Sequence, residues 1–315
     1  MTDLTNPIYT DETAARLHLE QIRWPEGPVC PYCGVTDESK ALGGQSMGDG
    51  WFHCSACRKK YTVRVGTVYE RSHVPLHKWV LATHLLCASK KGMSAHQLHR
   101  MLGVTYKTAW FMAHRIRESM RDTTPGPLGG EGKIVEADET YFGPVAEPKP
   151  RDPRKGPYTK GGKSGPSNKR AIVSLVERGG NVRSFHVPQA TAQYVTAIVN
   201  ENISRESKLF TDESRLYMKP GKDFAEHSTV VHSAREYARG EVHTNTVEGF
   251  FSIFKRGMRG VYQHCGEKHL HRYLAEFDFR YNGRSVDDDT RAVLSHKGAE
   301  GKRLTYRRTN RASAG

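Results

Sequence analysis

Two short cysteine pairs constrain this chain more than any other feature. Cys30-Pro-Tyr-Cys33 and Cys54-Ser-Ala-Cys57 form two C-x2-C turns with twenty residues between them. Each turn offers two thiolates on one tight bend, and two such bends facing each other complete a tetrahedron for Zn²⁺. Four thiolates leave no open position for water, so Cys30, Cys33, Cys54 and Cys57 predict a closed, structural zinc ribbon over residues 28–75. Trp51, Phe52, Arg58, Lys59, Lys60, Tyr61 and Arg64 flank the second pair. They suit contact with phosphate, or, for Trp51 and Phe52, a roof over the small domain's core. Cys87 and Cys265 stand among apolar or aromatic neighbours and are expected to serve packing.

Lysine and arginine outnumber aspartate and glutamate 48 to 34, a formal charge of +14 over 315 residues. That excess points to a polyanionic partner, of which nucleic acid is the commonest. Thr83 and His84 interrupt the longest apolar run, Trp79–Leu86, so no membrane span is expected. The polar, acidic stretch Met1–Glu12 does not read as a signal peptide. Paired cysteines at metal spacing fit a reducing compartment, and the expected location is cytoplasmic.

The chain divides readily. Asp11 caps a helix to Ile22, which Pro25 and Gly27-Pro28 stop, giving an N-terminal helical segment, 1–27. Residues 76–122 follow a helical pattern. Within it Ser94 caps a short helix, Gly103 allows a sharp turn, and Thr105 opens a longer helix to Met120. As a helix–turn–helix, it would place Lys107 and Thr108 against base edges and Arg115 and Arg117 against phosphate. The plainer reading is a helical hairpin between domains. A Gly/Pro-rich linker, 123–132, precedes strands at Lys133–Phe142, Arg170–Val176 and Val182–Val187, then a helix, Thr191–Ile203. Strands at Lys208–Thr211 and Ser228–Val231 and a helix at Thr246–Gly260 follow. Residues 144–169 are rich in Gly, Pro and Lys and predict a mobile basic loop, either touching DNA or simply solvated. Residues 285–315 read as a basic C-terminal tail.

Three acids stand at element ends. Asp138 lies near the end of the first strand of the second half, Asp212 ends a later strand, and Glu248 opens the late helix with thirty-five residues between it and Asp212. On that helix Val247, Phe250, Phe251 and Phe254 share an apolar face. Asn245, Glu248, Ser252, Lys255 and Arg259 share a polar one. Phosphodiester attack by water and then by a 3′-hydroxyl suits a carboxylate-held Mg²⁺ centre, since Mg²⁺ takes hard oxygen ligands. Lys255 and Arg256 would hold the DNA backbone. Glu136 and Glu139 compete with Asp138 for the metal. Neighbouring residues on a strand point to opposite faces, so Asp138 and Glu139 are not expected to serve together.

These segments resemble bacterial insertion-sequence transposases of the DDE type, in the branch with an N-terminal zinc ribbon. The resemblance rests on Cys30–Thr67, Asp138-Glu139-Thr140-Tyr141-Phe142-Gly143, Thr211-Asp212-Glu213-Ser214, His243–Gly260 and Tyr273–Asn282, and spans about Pro28 to Arg284. It implies a multidomain α+β chain: zinc ribbon, helix–turn–helix, and an α/β ribonuclease-H-like domain with a mixed sheet over 133–284. It also implies catalytic Mg²⁺ or Mn²⁺ and double-stranded DNA, both element ends and target, as substrate. The chemistry implied is phosphodiester hydrolysis and transesterification by a homodimer or higher oligomer on DNA. Asp138 and Asp212 correspond to the first two catalytic acids. The third is Glu248 or Asn245, because this branch also places Asn or His there, while the thirty-five-residue gap and Lys255 seven residues on favour Glu248. Two other readings compete: a zinc-ribbon DNA-binding regulator whose acids do not converge, and a ribonuclease-H-like nuclease that cuts without joining.

Overall fold

The computed structural model describes residues 3–44, 47–123, 125–147, 168–234, 236 and 238–305. Most of the basic loop expected at 144–169 therefore lies outside the described residues. The chain forms two compact units: Met1–Arg121 with Ser285–Gly315, and Asp122–Arg284.

The first unit begins with α1, Glu12–Arg23, whose first turn is closed by Asp11 accepting from the Ala14 amide. Strands β1 (Ser39–Leu42), β2 (Trp51–Cys54) and β3 (Lys60–Tyr61) make an antiparallel sheet in that order. Trp24, just after α1, meets Phe52 and Tyr61 edge-on, so Phe52 roofs the ribbon's core. Then come α2 (Leu76–Ala88), α3 (Ala95–Leu102) and α4 (Tyr106–Ser119). Ser94 and Thr105 accept from the amides of Gln97 and Thr108, and Gly103 makes the turn in the left-handed region at φ 60°.

In the second unit, β4 (Ile134–Pro144), β5 (Lys169–Glu177) and β6 (Val182–Val187) form an antiparallel meander. Helix α5 (Ala192–Asn202) crosses to β7 (Lys208–Asp212), which lies parallel to β4 and to β8 (Glu226–Val230). The five-stranded order is β6-β5-β4-β7-β8. That mixed sheet is the ribonuclease-H-like arrangement. A small hairpin, β9 (Ala238–Arg239) and β10 (Val242–His243), leads into α6 (Asn245–Gly257), a π turn over Met258–Tyr262, and α7 (Leu270–Asn282).

Strand alternation fills both faces of the sheet. Val135, Ala137, Val173 and Leu175 pack with Val195 and Val199 of α5. On the other face Ile172, Val176 and Val182 pack with Val247, Phe250, Phe251 and Phe254 of α6 and Leu274 and Phe277 of α7. The four apolar residues expected on α6 are thus its core face.

The chain then returns to the first unit. Residues 285–315 are not simply a tail: α8, Asp288–Lys297, is capped by Asp287 and packs on α2. Arg291 donates to the Cys87 carbonyl at 2.8 Å, and Ser295 and Ser119 hydroxyls meet at 2.8 Å. The basic residues flanking this helix masked an element whose apolar anchors are few.

Candidate active site

The site arises where β4 outruns β7. The two strands pair from Ile134↔Lys208 to Ala137↔Thr211, after which β7 ends at Asp212 while β4 continues against β5 to Pro144. Asp138 is the first residue of β4 beyond that pairing, and Asp212 ends β7 beside it. Asp212 therefore lies at the carboxyl end of β7, whereas Asp138, expected near the end of its strand, sits midway along β4 where the parallel β4–β7 pairing stops. The carboxyl ends of parallel strands are a usual place for function in open α/β sheets.

Carboxylate oxygens of Asp138, Glu139 and Asp212 lie within 4.8 Å of one another. The expectation that Asp138 and Glu139 are exclusive is corrected here. With β7 ended, the β4 edge is open, and the longer Glu139 side chain reaches Asp212 and the loop after β7, accepting from Ser214 Oγ at 3.4 Å. The buried Tyr217 hydroxyl also faces the Glu139 carboxylate, which it and Ser214 hold against the burial. Burial, then the charge of Asp212, then that of Glu139 push the Asp138 carboxyl well above its usual range. Burial and Asp212 raise Glu139, and burial raises Asp212 against the Ser214 amide that Asp212 accepts. Three acids crowded within 4.8 Å, each raised by burial, are a donor set that a hard divalent cation would neutralise.

A cavity of about 870 Å³ opens over these acids, lined also by His232 and Glu248 and by Ser252, Lys255, Arg256 and Arg259. Glu248 lies outside the tight cluster and accepts from Thr244 Oγ1 at 3.1 Å, with His232 Nε2 3.5 Å away. Asn245, exposed on the first turn of α6, does not line the cavity. Burial lowers the Lys255 ammonium pKa, opposed by the Asp138 charge. His232 carried no motif of its own, and only folding brings it beside Glu248.

Glu136, a rival metal ligand on sequence grounds, is engaged elsewhere. It is 0% exposed and bound by Arg178 and by the start of α6.

In the first unit, the four cysteine sulfurs also fall within 4.8 Å of one another. Cys30–Cys57 and Cys33–Cys54 are each 3.6 Å apart. Zn–S bonds of about 2.3 Å imply tetrahedral edges of roughly 3.8 Å, so the thiols fit the ion.

On the helix–turn–helix, Lys107 is exposed beside the exposed Tyr106, and Thr108 is half-buried with its hydroxyl 2.9 Å from that of Thr105. Arg115 and Arg117 are corrected. They are 6% and 2% exposed, because the second half of α4 is enclosed by α2, α8 and the chain after it. Arg115 donates to the carbonyls of Leu304 and Glu70 at 3.1 and 3.0 Å, which makes it an internal tie and not a phosphate contact.

The combination of a cysteine ribbon and an acid-lined ribonuclease-H-like sheet defines a transposase class. Residues 127–282 match the model of the ISXO2-like transposase domain, and residues 10–60 match that of the transposase zinc-ribbon domain. The chain belongs to this family of insertion-sequence transposases. It is similar to an uncharacterized protein in transposable element ISH50 of Halobacterium salinarum, 29% identical over 280 residues, covering 86% of this chain and 91% of the relative. Among solved structures, it is similar to the simian T-cell lymphotropic virus intasome (16% identity, TM-score 0.29), covering 57% of this chain and 63%, under two thirds, of that one. It is also similar to the Mos1 strand transfer complex (12% identity, TM-score 0.28), with 70% and 74% covered. The ribonuclease-H-like fold follows from the sheet order β6-β5-β4-β7-β8 itself. Among the described residues no helix is long and apolar enough to cross a membrane.

Proposed function

We propose that this chain cleaves double-stranded DNA at the terminal inverted repeats of its element and joins the freed ends to target DNA. Asp138, Asp212 and Glu248 are its catalytic acids. The observation that carries this reading is the convergence of Asp138 and Asp212 within 4.8 Å, at the floor of a cavity walled by Glu248, Lys255, Arg256 and Arg259. A non-catalytic regulator has no need for acids to converge at such electrostatic cost.

Asp138 and Asp212, with Glu139 beside them, would hold Mg²⁺ or Mn²⁺, and Glu248 would approach from α6. The ion supplies activation of the attacking oxygen and neutralisation of the leaving one. The chain's own residues do the rest. Lys255, Arg256 and Arg259 form a cationic wall that seats the phosphate backbone, Arg offering paired donors where Lys offers a point charge. Asp138 sits half-buried at the cavity floor, where a bound cation would offset the burial and crowding that raise its carboxyl. In the first unit, Lys107 and Thr108 read DNA at the start of α4, and the zinc ribbon presents Lys59 and Lys60 to phosphate.

The test is to supply pre-cut, labelled element ends with target DNA and Mg²⁺. Joined products support the transposase reading. Cleavage of uncut ends without any joining would leave a nuclease, and neither reaction would leave a DNA-binding protein.

A further inference from the structure

Helix α6 carries Glu248 and Lys255, yet it lacks an ordinary cap. Thr244 occupies the capping position but makes no capping hydrogen bond, and its hydroxyl donates to Glu248 instead. The first amides of a helix need acceptors, and leaving them bare inside a protein is costly. Here the acceptor comes from the centre of the sheet. Glu136 Oε2 accepts from the amides of Thr246 and Val247 at 2.8 and 3.0 Å, and Oε1 accepts from Thr246 Oγ1 at 2.8 Å.

A buried carboxylate needs a countercharge, and Arg178 supplies it. Its Nε donates to Glu136 Oε1 at 2.6 Å. The other two nitrogens donate to the carbonyls of Glu241 and His243, at 2.8 and 2.9 Å, and so grip the hairpin that leads into α6. His243 Nδ1 stands 3.3 Å from Glu136 Oε1, and the guanidinium lies over the Phe210 ring at 5.2 Å. Glu136 and Asp138 are two apart on β4, hence on one face, with roughly 7 Å between them along the strand.

We infer that Glu136, with Arg178, is the positioning residue of the active site: it pins the start of α6 to β4, and thereby sets Glu248 and Lys255 against Asp138. The inference rests on the proposed catalytic role of those residues. The anionic cap also suits the positive end of the helix dipole, so a neutral side chain there loses both charge and one acceptor. Small displacements of catalytic groups are expensive in rate, about 100-fold for ~1 Å.

The experiment compares wild type, Glu136→Gln, Arg178→Lys and the milder Thr246→Val in the full chain. For Glu136→Gln we expect cleavage to fall about 100-fold through kcat, with KM for DNA and Mn²⁺ binding measured by calorimetry within about twofold. The amides of Thr246 and Val247 should exchange hydrogen faster. In a Lys255→Ala background the further loss should shrink, because both changes act through α6. If Glu136→Gln does not fold, Thr246→Val carries the same test with a drop of about 5-fold, near one lost hydrogen bond. Unchanged kcat with unchanged exchange at Thr246 and Val247 would overturn the inference, as would full multiplicative losses with Lys255→Ala. A wild type that never cleaves DNA would instead sink the catalytic reading, while hydrogen exchange would still report whether Glu136 anchors α6.

Discussion

At the residue scale, buried ionisable groups are handled in contrasting ways. Glu136 is matched by Arg178 and the α6 amides, whereas Asp138, Glu139 and Asp212 face one another. Asp278 on α7 accepts from the Ser184 amide and hydroxyl at 2.8 and 2.7 Å, but desolvation of this half-buried carboxyl still pushes it up to about 7. In the other unit, His296 is held neutral by burial, with the charges of His18 and His84 acting in the same direction, and its pKa falls to about 3. Tyr69 meets its Nδ1 at 2.7 Å. The two groups tilt stability in opposite senses. The unfolded His296 takes up a proton near pH 6.5 and the folded one does not. Its contribution is therefore complete above that value and drains away as pH falls towards 3. The folded Asp278 binds its proton more tightly than the unfolded chain, so its contribution is present below about pH 4 and lost as pH rises through 7. Denaturant unfolding from pH 3 to 8 should therefore show a slope that His296→Gln reduces between pH 3 and 6.5. Asp278→Asn should raise stability at pH 8 but not at pH 4. Identical pH profiles in all three proteins would remove both assignments.

At the element scale, the helix–turn–helix separates surface from support along α4. Lys107→Ala should weaken preference for the cognate ends more than non-specific binding, as measured by competition binding, since its side chain is exposed at the helix start. Arg115→Ala should instead cost about 2 kcal/mol of stability, because it strips donors from two carbonyls. Loss of DNA affinity in a fully stable Arg115→Ala protein would restore it to the interface. In the ribbon, Cys30→Ser should abolish binding of about one Zn²⁺ per chain and destabilise that unit, with metal analysis as the readout. Normal DNA binding by folded, metal-free protein would count against the structural role. Much of this was legible in the sequence because it is local. Asp11, Ser94 and Thr105 cap helices within three residues of themselves, and the cysteine turns contain their own geometry. What was not legible depends on distant partners. Arg115 reads as a surface charge until Leu304 returns beside it, and Glu139 reads as facing away until β7 is seen to end at Asp212. Glu136 could not be told from a metal ligand before the start of α6 was placed on it.

At the scale of the whole molecule, the chain's last segment belongs to its first unit. Gly298 shows how closely it is built in: a Cβ there would sit 2.2 Å from the Ser119 carbonyl oxygen. Ending the chain at Arg284 should lower the thermal transition of the Met1–Arg121 unit by roughly 10 °C or more, as expected for a loss of a few kcal/mol in a small domain. The Asp122–Arg284 unit should melt unchanged, and an unaffected first transition in calorimetry would show α8 to be dispensable. The strands of the second unit were legible because they are short, largely apolar runs bounded by turns, with β5 buried at seven consecutive positions, and because helix α6 is amphipathic. By contrast, α8 was hidden by its charge and by its distance from the unit it completes.

The central claim is that Asp138, Asp212 and Glu248 form one metal-dependent DNA-cleaving centre, and cleavage of a labelled element end with Mg²⁺ tests it most directly. Wild type, Asp138→Asn, Asp212→Asn, Glu248→Gln and Asn245→Ala should be compared, with DNA affinity measured alongside. The first three variants should lose about 100-fold or more in cleavage while still binding DNA, since each removes one charged contact at the reacting centre. Asn245→Ala, outside the cavity, should keep most of the activity. Wild-type rates in both Asp variants, beside an active parent, would contradict the claim, and loss in Asn245→Ala with activity kept in Glu248→Gln would transfer the third role to Asn245.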